Sequence, residues 1–146
     1  MKISVGADHR GFIYKERIKE LLTKQGHEVI DFGTNSEDSV DYPLYSVKVG
    51  ESVASKETDF GVLVCGSGIG VNITANKVKG IRAVNICSEK TAEMGRKHNN
   101  ANVVTFGQDV LPFDLVERAL NIFLTTEFEG GRHERRVEEI TNLTGK

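Results

Sequence analysis

The 146 residues predict an α/β fold, a three-layer αβα sandwich around a five-stranded parallel sheet. Three observations carry this. Five short apolar runs recur along the chain, helical patterns separate them, and the clearest run, Phe60 to Cys65, is apolar without alternation. Strands that alternate with helices form parallel sheets through right-handed crossovers. A strand apolar on both faces belongs in a sheet covered on both sides. The length fits a single domain with a real core.

Taken in order, Ile3 to Gly6 reads as the first strand. A helix follows, with Tyr14, Ile18, Leu21 and Leu22 at helical spacing and Gly26 closing it. Glu28 to Phe32 is a short second strand, and the polar stretch Gly33 to Asp41 reads as a loop. Pro43 suits the first turn of a second helix, whose Ser46, Val49 and Val53 share a face. Phe60 to Cys65 is the third strand. After the loop Gly66 to Gly70, the pattern predicts a helix over Val71 to Lys79, a strand over Ile81 to Cys87 and a helix over Ser88 to Lys97. Val103 to Phe106 is the fifth strand. Leu111, Leu115, Ala119, Leu120 and Phe123 mark an amphipathic helix, and Arg132 to Leu143 a final, highly charged one.

Composition narrows the function classes. Apolar residues make up 38% and charged residues 27%, with a net charge of -2, so neither nucleic acid nor an anionic membrane is an expected partner. No apolar run approaches the roughly 20 residues of a membrane span. The chain opens directly on a strand pattern, so no signal peptide is expected. Cys65 and Cys87 are too few and too isolated for a disulfide framework or a zinc site, which fits a reducing cytoplasm.

In open parallel sheets, ligands bind beyond the C-terminal ends of the strands. Asp8 and His9 stand there after the first strand, Cys65 to Gly70 after the third, and Ser88 and Glu89 after the fourth. His98 and Asn99 precede the fifth strand instead. They must reach such a site another way, as from a second subunit.

Gly66-Ser67-Gly68-Ile69-Gly70 joins a buried strand to a helix. Its glycines allow several backbone N–H groups to converge on one anion. A simple tight turn is the structural alternative. A dinucleotide fingerprint fits less well, because Val71 stands where the third glycine belongs, and no Gly-Lys-Ser/Thr follows for a Walker loop. Cys65 is either a small core residue or, facing those N–H groups, a thiol favoured as thiolate, with the Ser67 hydroxyl as a hydrogen-bond partner. Such a group serves as a base or as a nucleophile, and His98 could activate it for acyl transfer. Cys87 has no such loop and is assigned no chemistry.

Asp8 and His9 can move protons or bind a polar ligand, while Asp8 is equally suited to capping a helix. His98 ends a helix, where a histidine often serves as a capping cation. Arg132 and Arg136 share a helix face and suit a phosphate dianion. Their structural alternative is pairing with Glu138 and Glu139. The histidines are scattered without ligand spacing, so no metal is expected. That favours proton transfer through an enediolate over a metal-assisted hydride shift.

Gly6-Ala7-Asp8-His9-Arg10-Gly11, Asp41-Tyr42-Pro43, Cys65 to Gly70, Ala75-Asn76-Lys77, Gly80-Ile81-Arg82-Ala83, His98 to Asn102 and Gly130-Gly131-Arg132-His133 together closely resemble the ribose/galactose isomerase family, in its type B ribose-5-phosphate isomerase branch. The resemblance spans essentially the whole chain. It implies a homodimer of Rossmann-like subunits, with active sites at the subunit interface, no cofactor and a sugar phosphate as substrate. It further implies Cys65 as the base at C2, His98 as the acid that opens the sugar ring, and Asp8 at the sugar hydroxyls. Tyr42 would line the pocket, Asn99 would contact the sugar, and the amides of Gly66, Ser67, Gly68, Ile69 and Gly70 would form an anion hole. His9, Arg132 and Arg136 would hold the phosphate, with His98 and the arginines coming from the partner.

Some relatives place a glutamate base where this chain has Val71, so the cysteine version applies. Ser67 replaces the threonine common in cysteine-type members and keeps the hydroxyl. Asp109 stands where relatives often carry a phosphate-contacting arginine, a change from cation to anion for which Arg10 or Lys97 could compensate. Another sugar phosphate, such as a hexose 6-phosphate, and a non-catalytic sugar-phosphate or nucleotide-binding module remain open alternatives.

Overall fold

A computed structural model describes all residues, 1–146. Strands β1 (Lys2–Ala7), β2 (Glu28–Asp31), β3 (Phe60–Cys65), β4 (Ala83–Asn85) and β5 (Val103–Gly107) form one sheet in the order β2-β1-β3-β5-β4, parallel throughout. Helices α1 (Phe12–Lys24), α2 (Tyr42–Ala54), α3 (Ile69–Ala75), α4 (Glu89–Asn99), α5 (Phe113–Thr125) and α6 (Arg132–Thr144) complete the chain. The predicted three-layer Rossmann-like sandwich is the observed fold.

Two apolar clusters flank the sheet. One joins Ile18 and Leu22 of α1, Ala92 of α4 and Val116, Ala119, Leu120 and Phe123 of α5 to Val62 and Val64 of β3. The other joins Val49 and Val53 of α2 and Val71 and Ala75 of α3 to Leu63 and Cys65. Alternate residues of a strand face opposite sides. The parity of β3 therefore puts the Cys65 side chain on the layer made by α2 and α3. From β1 the chain passes to β2 on one side and then returns to β3 on the other. The crevice between the ends of β1 and β3 is thus a topological switch point, where ligands of such sheets bind.

Boundaries moved where side chains took over backbone pairing. The third helix runs from Ile69 to Ala75 rather than from Val71 to Lys79. Gly68, at φ +78°, allows it to start directly from the loop. At its far end, Asn76 Oδ1 accepts from the Ala83 N–H at 2.8 Å and its Nδ2 donates to the Ala83 carbonyl at 3.0 Å. Asn102 Oδ1 similarly takes the Arg82 N–H. The predicted fourth strand, Ile81 to Cys87, is observed as its three middle residues, Ala83–Asn85, with the Asn102 amide taking the N–H just before it. Helix α4 runs from Glu89 to Asn99, two residues beyond the predicted end at Lys97. Ser88 and Thr91 form a reciprocal capping box, and Asn100 closes the helix in the left-handed conformation.

No helix is long and apolar enough to cross a membrane. Helix α6 has no buried residue, and Leu143 is 85% exposed.

Candidate active site

A cavity of about 460 Å³ opens at the switch point, lined by Asp8, Tyr42, Cys65, Gly66, Ser67, Ile69, Gly70 and Ile73. Each arrives from a strand end or from the helix that follows one. Ile73 is the member that sequence reasoning missed; it lies one helical turn beyond Ile69, and that spacing was the available signal.

Cys65 ends β3 and is only 5% exposed, yet it lines this cavity. Its sulfur accepts a hydrogen bond from the Gly68 N–H at 3.1 Å. This corrects the expected partner, because the Ser67 hydroxyl oxygen instead accepts from the Ile69 N–H at 3.2 Å. The N–H groups of Gly66 and Ser67 donate to nothing within the chain and are free for an anion.

Asp8 is buried beside the thiol's loop. Its Oδ1 accepts from the backbone N–H groups of Arg10 at 3.0 Å and Gly11 at 3.1 Å. The N-cap of α1 is Gly11 and no side chain caps the helix, so with this oxygen Asp8 closes the turn before α1 rather than capping it. The other has no protein partner and is reached by solvent. His9 packs against the next loop, with Nδ1 lying 3.2 Å from both the N and the O of Val40. Tyr42 opens α2 and stands over Gly70, where a β-carbon would come within 2.5 Å of its ring.

His98, Asn99, Arg132 and Arg136 do not line the Cys65 cavity of their own chain. Asn99 lines a separate cleft of about 450 Å³ with Arg82, Ile140 and Thr144. Lys77 and Lys146 also line that cleft, and no histidine, cysteine, aspartate or glutamate does. Arg132 and Arg136 are exposed at the start of α6 and make no ion pair, with Glu138 and Glu139 or any other acid. Their pairing alternative is thereby corrected: neither guanidinium meets those glutamates, and Arg136 Nη1 donates only to the Arg132 carbonyl, at 3.4 Å. Lys97 is tied to Glu93 at 2.6 Å and is not the cation near Asp109. Arg10 is: its Nε donates to Asp109 Oδ2 at 3.0 Å, and its Nη2 donates to the same oxygen.

The expectation of scattered histidines also needs correction. His98 and His133 stack with ring centroids 4.4 Å apart and 14° between planes, and Glu129 Oε2 lies 3.6 Å from His133 Nε2. Burial, then the neighbouring His98 and Arg132, hold His133 below the ordinary imidazole range against the pull of Glu129. The three ligand atoms lie within 4.8 Å of one another. An ion must sit in the plane of each imidazole it binds, and near-parallel stacked rings offer no shared point. The arrangement fits ring stacking rather than a metal centre.

Known proteins resemble this chain over nearly its whole length. Ribose-5-phosphate isomerase B of Escherichia coli is 48% identical over 143 residues, covering 97% of this chain and 95% of that protein. The structure of ribose-5-phosphate isomerase B from Clostridium thermocellum superposes with a TM-score of 0.98 at 46% identity, covering 99% and 98% of the two chains. That of the Mycoplasma genitalium ribose-5-phosphate isomerase B with bound ribulose-5-phosphate gives 0.95 at 37% identity, covering 99% and 97%. Residues 3–140 match the family described as Ribose/Galactose Isomerase. With the match running nearly end to end and the cysteine, acid and glycine loop gathered at one switch point, the chain belongs to the ribose/galactose isomerase family.

Proposed function

We propose that this chain interconverts ribose 5-phosphate and ribulose 5-phosphate, a step of the pentose phosphate pathway, in the cytoplasm and without a metal or organic cofactor. The single observation that carries the chemistry is the Cys65 sulfur, hydrogen-bonded by the Gly68 N–H, in the wall of a cavity it shares with Asp8. With the sugar ring open, the thiolate takes the hydrogen from C2. The electron pair left behind forms a C1–C2 double bond, and charge moves to the C1 oxygen. The unpartnered amides of Gly66 and Ser67 suit that oxyanion. The hydroxyl proton on O2 then passes to O1, with the free oxygen of Asp8 placed to relay it. The thiol returns its proton to C1, leaving a ketone at C2. No oxidant is required.

The acid that opens the ring and the cations that hold the phosphate come, in this reading, from a second copy of the chain. His98, Asn99, Arg132 and Arg136 lie away from their own Cys65, and α6 presents Ile140 and Leu143 to solvent. Ile69 and Ile73 are likewise exposed at the cavity rim. A symmetric homodimer would cover these apolar groups and place His98 of the partner subunit opposite Cys65. His9, beside Asp8, would contact the phosphate, and Tyr42 would wall the sugar.

Parallel assays test the substrate. The kcat/KM for ribose 5-phosphate should exceed that for hexose 6-phosphates by about 10- to 200-fold, the usual discrimination for one extra carbon in a closed pocket. Equal or higher values for a six-carbon substrate would refute the five-carbon assignment. Subunit mixing tests the shared site. Cys65→Ala and His98→Asn, each nearly inactive on ring-form substrate, should recover roughly a quarter of wild-type activity when unfolded and refolded together, because half of the dimers are mixed and each has one intact site of two. No recovery would place both residues in one subunit's site.

A further inference from the structure

We propose that Arg10 is a phosphate-binding residue of this site and that Asp109 is the positioning residue that aims it; the proposal rests on the sugar-phosphate reading above. The two are 99 positions apart in sequence, and each is anchored to the loops that build the cavity. The Arg10 backbone N–H is held by Asp8 Oδ1 at 3.0 Å, and the Asp109 N–H donates to the Gly66 carbonyl at 3.0 Å. The side chains meet over Gly66. A β-carbon placed there would stand 2.9 Å from Asp109 Oδ2 and 3.8 Å from Arg10 Nε.

The geometry of the pair carries the assignment. A guanidinium presents five N–H donors on fixed edges. Asp109 occupies the edge made by Nε and Nη2. The opposite edge, Nη1 with the remaining Nη2 hydrogen, has no partner in the chain, and the side chain is 61% exposed. That free edge is a ready fork for two phosphate oxygens. It stands beside Gly66, which lines the cavity, and one residue from His9, whose Nε2 is also unpartnered. A surface ion pair with no ligand role would need neither anchor, and a lysine at position 10 would meet both acids only as a point charge, without a planar fork for two phosphate oxygens. Because Asp109 offsets part of the charge, the gain in binding is moderate.

The test measures substrate KM and the competitive inhibition constant of inorganic phosphate. Arg10→Ala should raise both by about tenfold, with the larger share of the loss in KM rather than kcat. Arg10→Lys should restore them only in part, since an ammonium shared with Asp109 offers the phosphate no planar fork. Adding Asp109→Ala to Arg10→Ala should lower the phosphate constant again, because an unpaired carboxylate beside a dianion repels it. An inhibition constant within about twofold of wild type for Arg10→Ala, or full function for Arg10→Lys, overturns the proposal. Calorimetric titration of wild type and Arg10→Ala with inorganic phosphate separates this result from failure of the isomerase reading. Phosphate binding weakened by Arg10→Ala would uphold the subsite even in a chain that does not turn over ribose 5-phosphate, and binding equal in both would sink it.

Discussion

Cys65→Ala should yield a folded chain that no longer exchanges the C2 hydrogen of ribose 5-phosphate with solvent. Positioned general bases contribute about 10²- to 10⁴-fold to rate, and the proposed pathway has no alternative acceptor on carbon. The loss of kcat should reach the upper part of that range. The substitution is mild for the fold. It removes one sulfur at the edge of the smaller apolar cluster, and the strand around it stays paired with β1 and β5. Proton–deuteron exchange followed by NMR gives the readout, and thermal unfolding confirms the fold. Cys65→Ser is a sharper version, since an alcohol keeps the shape and the hydrogen bond but is a far poorer source of an anion at neutral pH. If Cys65→Ala keeps most of its activity, the base lies elsewhere, and the Gly68 hydrogen bond to sulfur loses its catalytic role with it.

The second large effect concerns stability. Lys15 on α1 is 1% exposed, and its ammonium donates to Asp31 Oδ2 at 2.7 Å and to Glu16 Oε2 at 2.9 Å. Lys19 reaches the same Asp31 oxygen at 3.0 Å. Removing the carboxylate by Asp31→Ala leaves a buried cation with only a half-exposed glutamate. Breaking a buried pair on one side costs about 3–5 kcal/mol. Lys15→Met should cost much less, because Asp31 keeps Lys19 and the Gly33 N–H. The double variant should recover much of the loss caused by Asp31→Ala. Urea unfolding of the four proteins tests this, and an additive double variant would show that the two charges do not interact.

The same group sets an acid dependence. Burial opposes ionisation of Asp31, but the hydrogen bonds from Lys15, the Gly33 N–H and Lys19 outweigh it and hold the carboxyl below its ordinary value. A carboxyl depressed in the folded state stabilises fully above its unfolded value, and that stability is lost as pH falls through the folded one. Wild type should therefore weaken in acid through this group, and Asp31→Asn should lack that part of the slope.

How far the site was legible depended on sequence distance. Cys65, Asp8 and the glycine loop could be read because strand ends are local features and a parallel sheet collects them at one edge. The stacked His98 and His133 could not, and Arg10 could be named only alongside Lys97 as a cation for Asp109. No period links residues so far apart in the chain, and each half has an ordinary surface role when read alone. Helix α3 was misplaced because a glycine with positive φ and the Asn76 side chain, rather than apolar spacing, set its ends.

What the sequence determined by itself was the alternation of strands and helices and the residues at the strand tips. Those follow from local periodicity and steric preference, which act over a few residues. Only the tertiary structure decided which donor meets the Cys65 sulfur, which cation answers Asp109, and that α6 and His98 stand apart from the cavity of their own chain. These are outcomes of packing, in which hydrogen bonds form between whatever groups the folded layers bring within about 3 Å.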